Sequence, residues 1–145
     1  MKKAKYILLD KNGYIISIAE KKLSDEFIEI EEVPQPYQIY KMISGKLQKD
    51  KNREEEYIKL QKENKKRKVS KIVTQYINDL LKYLDYDNLA DLIICENMPL
   101  YKDEVQKIKN WIEEVYKKYE IICEKIDSDD IDISNVENEL PKYKG

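Results

Sequence analysis

The period of hydrophobic and polar positions changes near residue 50. Before it, residues 6–9 and 14–18 are β-prone runs separated by Asp10-Lys11-Asn12-Gly13. Asn-Gly is a favoured hairpin turn because both residues tolerate positive φ, so a first hairpin is predicted here. Residues 27–31 alternate apolar and charged side chains, as a half-buried strand does. Val33-Pro34-Gln35-Pro36 then interrupts the pattern, since proline removes a ladder donor and holds its predecessor extended. Residues 39–43 and 46–48 flank Ser44-Gly45, which predicts a second, smaller hairpin. So small an antiparallel meander needs helices or a partner to pack against.

After Asp50 the period becomes about 3.6. Residues 53–68 are nearly all charged or amidated, whereas Val69, Ile72, Val73, Tyr76, Ile77, Leu80, Leu81 and Leu84 form one helical face. One helix over about 52–84 accounts for both halves. Asp87 is a suitable cap for a short helix carrying Leu89, Leu92 and Ile93, and Asn97-Met98-Pro99 ends it. Val105, Ile108, Ile112, Val115, Tyr119, Ile122 and Ile126 then follow a 3-4 spacing, widened by Trp111, Tyr116 and Cys123. Such a seam packs antiparallel on the 69–84 face of the same chain or zips to a second copy. The short connection favours the first. Past Ile126 an acidic tail begins; Ser134-x-x-Glu137 has capping-box spacing, so residues 135–140 are expected to be helical until Pro141. The tail is expected to order only where Ile131, Ile133 and Leu140 find a groove.

The pattern therefore predicts an α+β chain. Residues 1–49 form a small antiparallel β module, residues 50–126 an antiparallel helical hairpin or bundle, and residues 127–145 an acidic tail with a short helix.

Composition narrows the chemistry. The 145 residues include no histidine and three glycines. Histidine is the usual acid-base group near neutral pH and the commonest nitrogen ligand, so most catalytic triads and zinc sites are excluded. Neither GxGxxG nor a Walker loop is present. Nothing in the sequence places carboxylate pairs such as Glu113 with Glu114, or Asp129 with Asp130, in an apolar pocket that would shift a pKa. A non-enzymatic protein without cofactor or metal is expected. Cys95 and Cys123 lack CxxC spacing and sit in apolar runs, as buried reduced thiols do. No apolar segment has the length of a signal peptide or a membrane span, which predicts a cytosolic chain.

Charge is segregated. The chain is formally -2, yet residues 41–71 hold 12 basic and 5 acidic side chains, a net of +7, culminating in Lys65, Lys66, Arg67, Lys68 and Lys71. Residues 72–123 hold 6 and 10, and residues 124–145 hold 3 and 7. The basic block is a candidate contact for nucleic acid or a charged partner. Interleaved Glu54, Glu55, Glu56 and Glu63 favour a solvated helix face instead. Tyrosine occurs 12 times against one phenylalanine. Tyr76, Tyr83, Tyr116 and Tyr119 fall on or beside apolar stripes, where a phenol buries its ring. Tyr37 and Tyr40, beside the prolines, have no such face and are candidate partner contacts, together with Ile131, Ile133 and Leu140 of the tail.

Several segments, in order, resemble small tail-fibre and tail-assembly proteins of tailed bacteriophages and prophages. The Asp-Lys-Asn-Gly turn, Tyr14-Ile15-Ile16, the Pro-x-Pro link and Tyr40-Lys41-Met42-Ile43 before Gly45-Lys46-Leu47 are similar to their short β module. Tyr86-Asp87-Asn88-Leu89 resembles a Tyr-Asp-Ser-Ile stretch. It is followed by Glu104 and by Trp111-Ile112-Glu113-Glu114-Val115-Tyr116, similar to Trp-Arg-Asp-x-Val-Trp. The ending, with Leu140-Pro141, is similar to their closing Leu-Pro motif. The resemblance covers most of residues 4–143; Ile112 and Tyr116 depart from the family's arginine and second tryptophan. It implies a tail-fibre assembly chaperone or minor tail component that contacts a phage tail or fibre protein. It implies no catalytic residues, and places the chain in the bacterial host cytoplasm or, as a tail component, in the virion. The lysine and isoleucine bias fits an AT-rich bacterial or phage genome. Two alternatives stay open: a phage-encoded inhibitor of a host defence effector, of anti-CRISPR type, using the segregated charge, and a nucleic-acid binder using the basic helix.

Overall fold

In a computed structural model, residues 5–128 and 131–145 are described. They form an α+β chain with an N-terminal antiparallel β region followed by helices, as the pattern predicts. Strands β1 (Lys5–Leu9), β2 (Ile15–Ala19) and β3 (Ile28–Ile30) make one sheet, and β4 (Tyr40–Ile43) and β5 (Lys46–Lys49) a two-stranded ribbon. Four helices follow: α1 (Lys51–Tyr83), α2 (Leu89–Cys95), α3 (Lys102–Ser128) and α4 (Val136–Glu139).

The chain divides into two compact units, Met1–Gln61 and Lys62–Gly145. Relative to the expected boundaries, the first turns of α1 group with the strands, and the acidic tail belongs to the helical unit. The reason is where side chains are buried: the apolar face of α1 begins at Val69, and the tail contributes Val136 and Leu140 to the same cluster.

In the first unit β1 is central, in the order β2-β1-β3, so β3 pairs with the second edge of β1 instead of extending from β2. Ile7, Ile15, Phe27 and Ile39 are its buried hydrophobics. The first turn is not the two-residue type expected of Asn-Gly. Asp10 O accepts from Gly13 N at 3.1 Å, and Asp10 Oδ1 accepts from Asn12 N at 2.8 Å and Tyr14 N at 3.0 Å. The aspartate thus organises the turn, and of the Asn-Gly pair Gly13 alone takes positive φ, at 91°. Gly13 O also accepts from Met42 N at 2.8 Å, and Tyr14 bridges to Lys41, which joins the ribbon to the sheet. Ser44 and Gly45, at φ 51° and 80°, make the tight turn predicted for the second hairpin.

In the second unit α1 and α3 run antiparallel: Lys66 meets Asp127 while Tyr76 meets Trp111. Val69, Val73, Ile77 and Leu81 of α1 are buried with Val105, Ile108, Trp111, Val115, Ile122 and Ile126 of α3. Each such aliphatic side chain contributes about 1.5–3 kcal/mol by leaving water. Most of the seam over 105–126 is therefore buried within the chain, with Ile112 and Tyr119 half-buried. Trp111 lies at the centre of the stripe, whereas Tyr116 is exposed. Helix α1 closes with Asp85 in the left-handed region, φ 66°, and Tyr86 N bonded to Leu81 O at 2.8 Å; both side chains are buried, as in a Schellman stop.

Two caps differ from expectation by one residue. Asn88, not Asp87, caps α2, accepting from Asp91 N at 2.9 Å, while Asp91 Oδ2 accepts from Asp87 N at 3.1 Å. At α4 the N-cap is Asn135, with no side-chain cap bond, because Ser134 N is already held by Asp132 Oδ1 at 2.9 Å.

Candidate functional site

The residues singled out from sequence fall into three groups. Tyr37 lies in a short 3-10 turn (Tyr37–Ile39) and Tyr40 begins β4; both are half-buried within the first unit. Neither stands clear as an isolated contact.

The basic block is split. Lys62 Nζ donates to Asp127 O at 2.7 Å, Lys65 Nζ to Ile131 O at 3.2 Å, and Lys66 Nζ pairs with Asp127 Oδ1 at 2.6 Å. The carboxylate holds the Lys66 ammonium above its ordinary pKa. One row of the block thus anchors the chain where it leaves α3, and Arg67, Lys68 and Lys71 remain exposed. The positive segment answers an acidic segment of its own chain.

The tail finds its groove inside the chain. Val136 and Leu140 are buried, and Ile131, Ile133 and Tyr143 pack partly buried against the same core. Trp111 Nε1 and Tyr76 Oη both donate to Pro141 O, at 2.8 and 3.0 Å. Tyr143 meets the edge of Trp111 at 5.9 Å between centroids. Leu140 is therefore core, and not open to a partner; Ile131 and Ile133 keep partial exposure. The pair Asp129 and Asp130 lies outside the described residues.

Tyr86 is buried at the junction of α1 and α2, and its Oη has no hydrogen-bond partner among the described residues. Burial, reinforced by the nearby Glu104 carboxylate, pushes its phenol up to about 12. Burial likewise raises Tyr143, which also feels Glu104. Tyr86, Trp111 and Leu140 are buried in one cluster with Tyr143 packed against it, and Glu104 acts on both tyrosines.

In the first unit, Asp50 caps α1 through Arg53 N at 3.2 Å and accepts a short hydrogen bond from Tyr14 Oη. The Arg53 guanidinium lies 3.5 Å from the Tyr14 ring centroid. The Tyr14 bond lowers Asp50 and raises Tyr14. All three groups are engaged with one another, and the arrangement fixes the start of α1.

No family model, curated protein or solved structure matches the chain.

The surface shows a feature that pattern reading missed. Leu89, Ile93, Ile94, Met98, Leu100 and Tyr101 are all exposed, Ile94 at 62% and Leu100 at 83%. Helix α2 has seven residues and one side facing the core, which takes Leu92 and, in part, Cys95; Leu89, Ile93 and Ile94 are left exposed. Successive turns, Glu96 N to Ile93 O at 3.2 Å, Met98 N to Cys95 O at 3.0 Å and Tyr101 N to Met98 O at 3.0 Å, fold the connection against the end of the helix. Next to it lies an open cavity of about 370 Å³, lined by Thr74, Ile77, Asn78, Asn88, Leu89, Ala90, Ile112 and Tyr116, none of them charged. Leu89 and Tyr116, both exposed, form its rim. Tyr83, expected on the apolar stripe, is also exposed.

Cys95 and Cys123 are free and half-buried. No cluster of metal-ligating side chains occurs among the described residues, and none of their helices is long and apolar enough to cross a membrane.

Proposed function

We propose that this chain is a phage or prophage protein without catalytic activity that works by protein-protein contact, as a tail-fibre assembly chaperone or a minor tail component. The observation that carries the contact role is the exposed apolar surface of α2 and the α2–α3 connection, beside an uncharged cavity. Six exposed large apolar side chains gathered in one short stretch of chain are the kind of surface that contact sites use. The tail assignment rests on the resemblance, supported by the convergence of Tyr86, Trp111, Leu140 and Tyr143 around one core. The place of action follows from the assignment: the host cytoplasm, and the virion for a tail component.

Affinity capture of the tagged full chain from the strain that produces it tests the reading. Recovery of a tail or fibre protein is expected. Recovery of a defence effector transfers the protein to the inhibitor class, and association with neither overturns the proposal. The internal use of Lys62, Lys65 and Lys66 counts against a nucleic-acid role. A mobility-shift titration at low and high salt is expected to show no specific complex.

A further inference from the structure

The α2 surface has a sign as well as a polarity. Asp85 and Asp87 precede it, and Asp103 follows it within two residues of Tyr101; all three are exposed. Asp91 and Glu104 add to the same stretch, while Glu96 is compensated by Lys109 at 2.7 Å. Over residues 85–104 the chain carries six carboxylates and one ammonium, Lys102. An apolar face bounded by carboxylates discriminates among occupants. A second copy meeting it about a two-fold axis would present the same excess of carboxylates to this one, and like charges across an interface are costly. An anionic bilayer is repelled for the same reason.

We infer that this face docks an amphipathic segment of a partner protein, with an aliphatic anchor that enters the cavity at Leu89 and lysine or arginine residues that flank the anchor. The cavity supplies a desolvated pocket for the anchor, with Ile77 and Ile112 among its lining. Ile93, Ile94 and Leu100 extend the apolar contact along the segment, and Asp87 and Asp103 select its basic flanks. The inference rests on the reading that the chain acts by protein contact, and names the chemistry of the contact.

The test uses the full chain and a synthetic helical peptide with leucines at i and i+4 and lysine-arginine flanks, beside a second peptide whose flanks are glutamate. Methyl NMR is expected to place the basic peptide at Leu89, Ile93, Ile94 and Leu100. Ile93→Asn with Ile94→Asn is expected to weaken it at least tenfold; both side chains are exposed, so circular dichroism stays unchanged. Asp87→Asn with Asp103→Asn is expected to weaken it about three- to tenfold at low salt, and the difference to shrink at high salt. Equal binding of the glutamate peptide, binding of neither, shifts centred elsewhere, or a dimer dissolved by the Ile93→Asn, Ile94→Asn change each overturns the inference. Capture of a fibre protein by that variant removes this site and leaves the tail reading standing. Binding of the basic peptide without any tail or fibre protein in the capture does the reverse.

Discussion

Gly13 shows how much one residue carries in the first unit. Its φ of 91° is open to glycine, and a Cβ there would sit 3.1 Å from Met42 O, whose strand is held by Gly13 O itself. Relief would require moving backbone. Gly13→Ala is expected to destabilise the unit by about 1 kcal/mol or more, read as a lower urea midpoint. Tyr86 makes the opposite case. Its buried Oη makes no hydrogen bond of good geometry among the described residues, and the Glu104 carboxylate is near enough to act on it, so Tyr86→Phe is expected to change stability by no more than about 1 kcal/mol. Its pKa also sets a pH dependence. The folded phenol keeps its proton until about 12, against an ordinary 10.0, so its contribution is complete below pH 10 and is lost as pH rises through 12. Denaturation midpoints of the wild type are expected to fall across that window. Those of Tyr86→Phe are expected to fall less, the remainder including Tyr76, Tyr119 and Tyr143, which burial also raises, and Tyr14 and Lys66, which their carboxylate partners raise.

At the scale of elements, the C-terminal segment behaves as a fourth side of the helical pair. Leu140 is buried, and Pro141 O takes two side-chain donors, one from each long helix. Leu140→Ala is expected to cost about 2 kcal/mol or more, because it truncates a buried leucine. Thermal unfolding monitored by the fluorescence of Trp111 reads it directly. The long helices were legible because their stripes repeat over several turns: seven apolar positions in α1 and seven in α3 outvote any local exception. The caps were not. Asp87 and Asn88 are both good cap residues, and the choice depends on which backbone N–H the first turn of α2 presents. Strand pairing was half legible: turn chemistry names hairpin neighbours, but nothing local says that β3 returns to β1.

At the scale of the molecule, the two units have unequal cores. Among the described residues the first buries Ile7, Ile15, Phe27 and Ile39, whereas the second buries fourteen hydrophobic side chains. Native-state hydrogen exchange is expected to show the amides of α3 and of residues 69–81 as the most protected. Those of β1 and β2 are expected to open at lower free energy. Comparable protection in the two units would contradict the inequality of the cores.

The sequence by itself determined the class of the fold, the two long helices, both hairpins and the apolar seam, because each is written in a local period or a turn residue. Only the tertiary structure decided what the charges and the tail do. Lys65 and Lys66 look like a free basic patch until Ile131 and Asp127 are brought back beside them, and Leu140 looks like a partner contact until α1 and α3 enclose it. The exposed apolar surface of α2 was hidden for the same reason. Its residues are as apolar as the core, and which of them face water depends on how many sides of a seven-residue helix its neighbours cover.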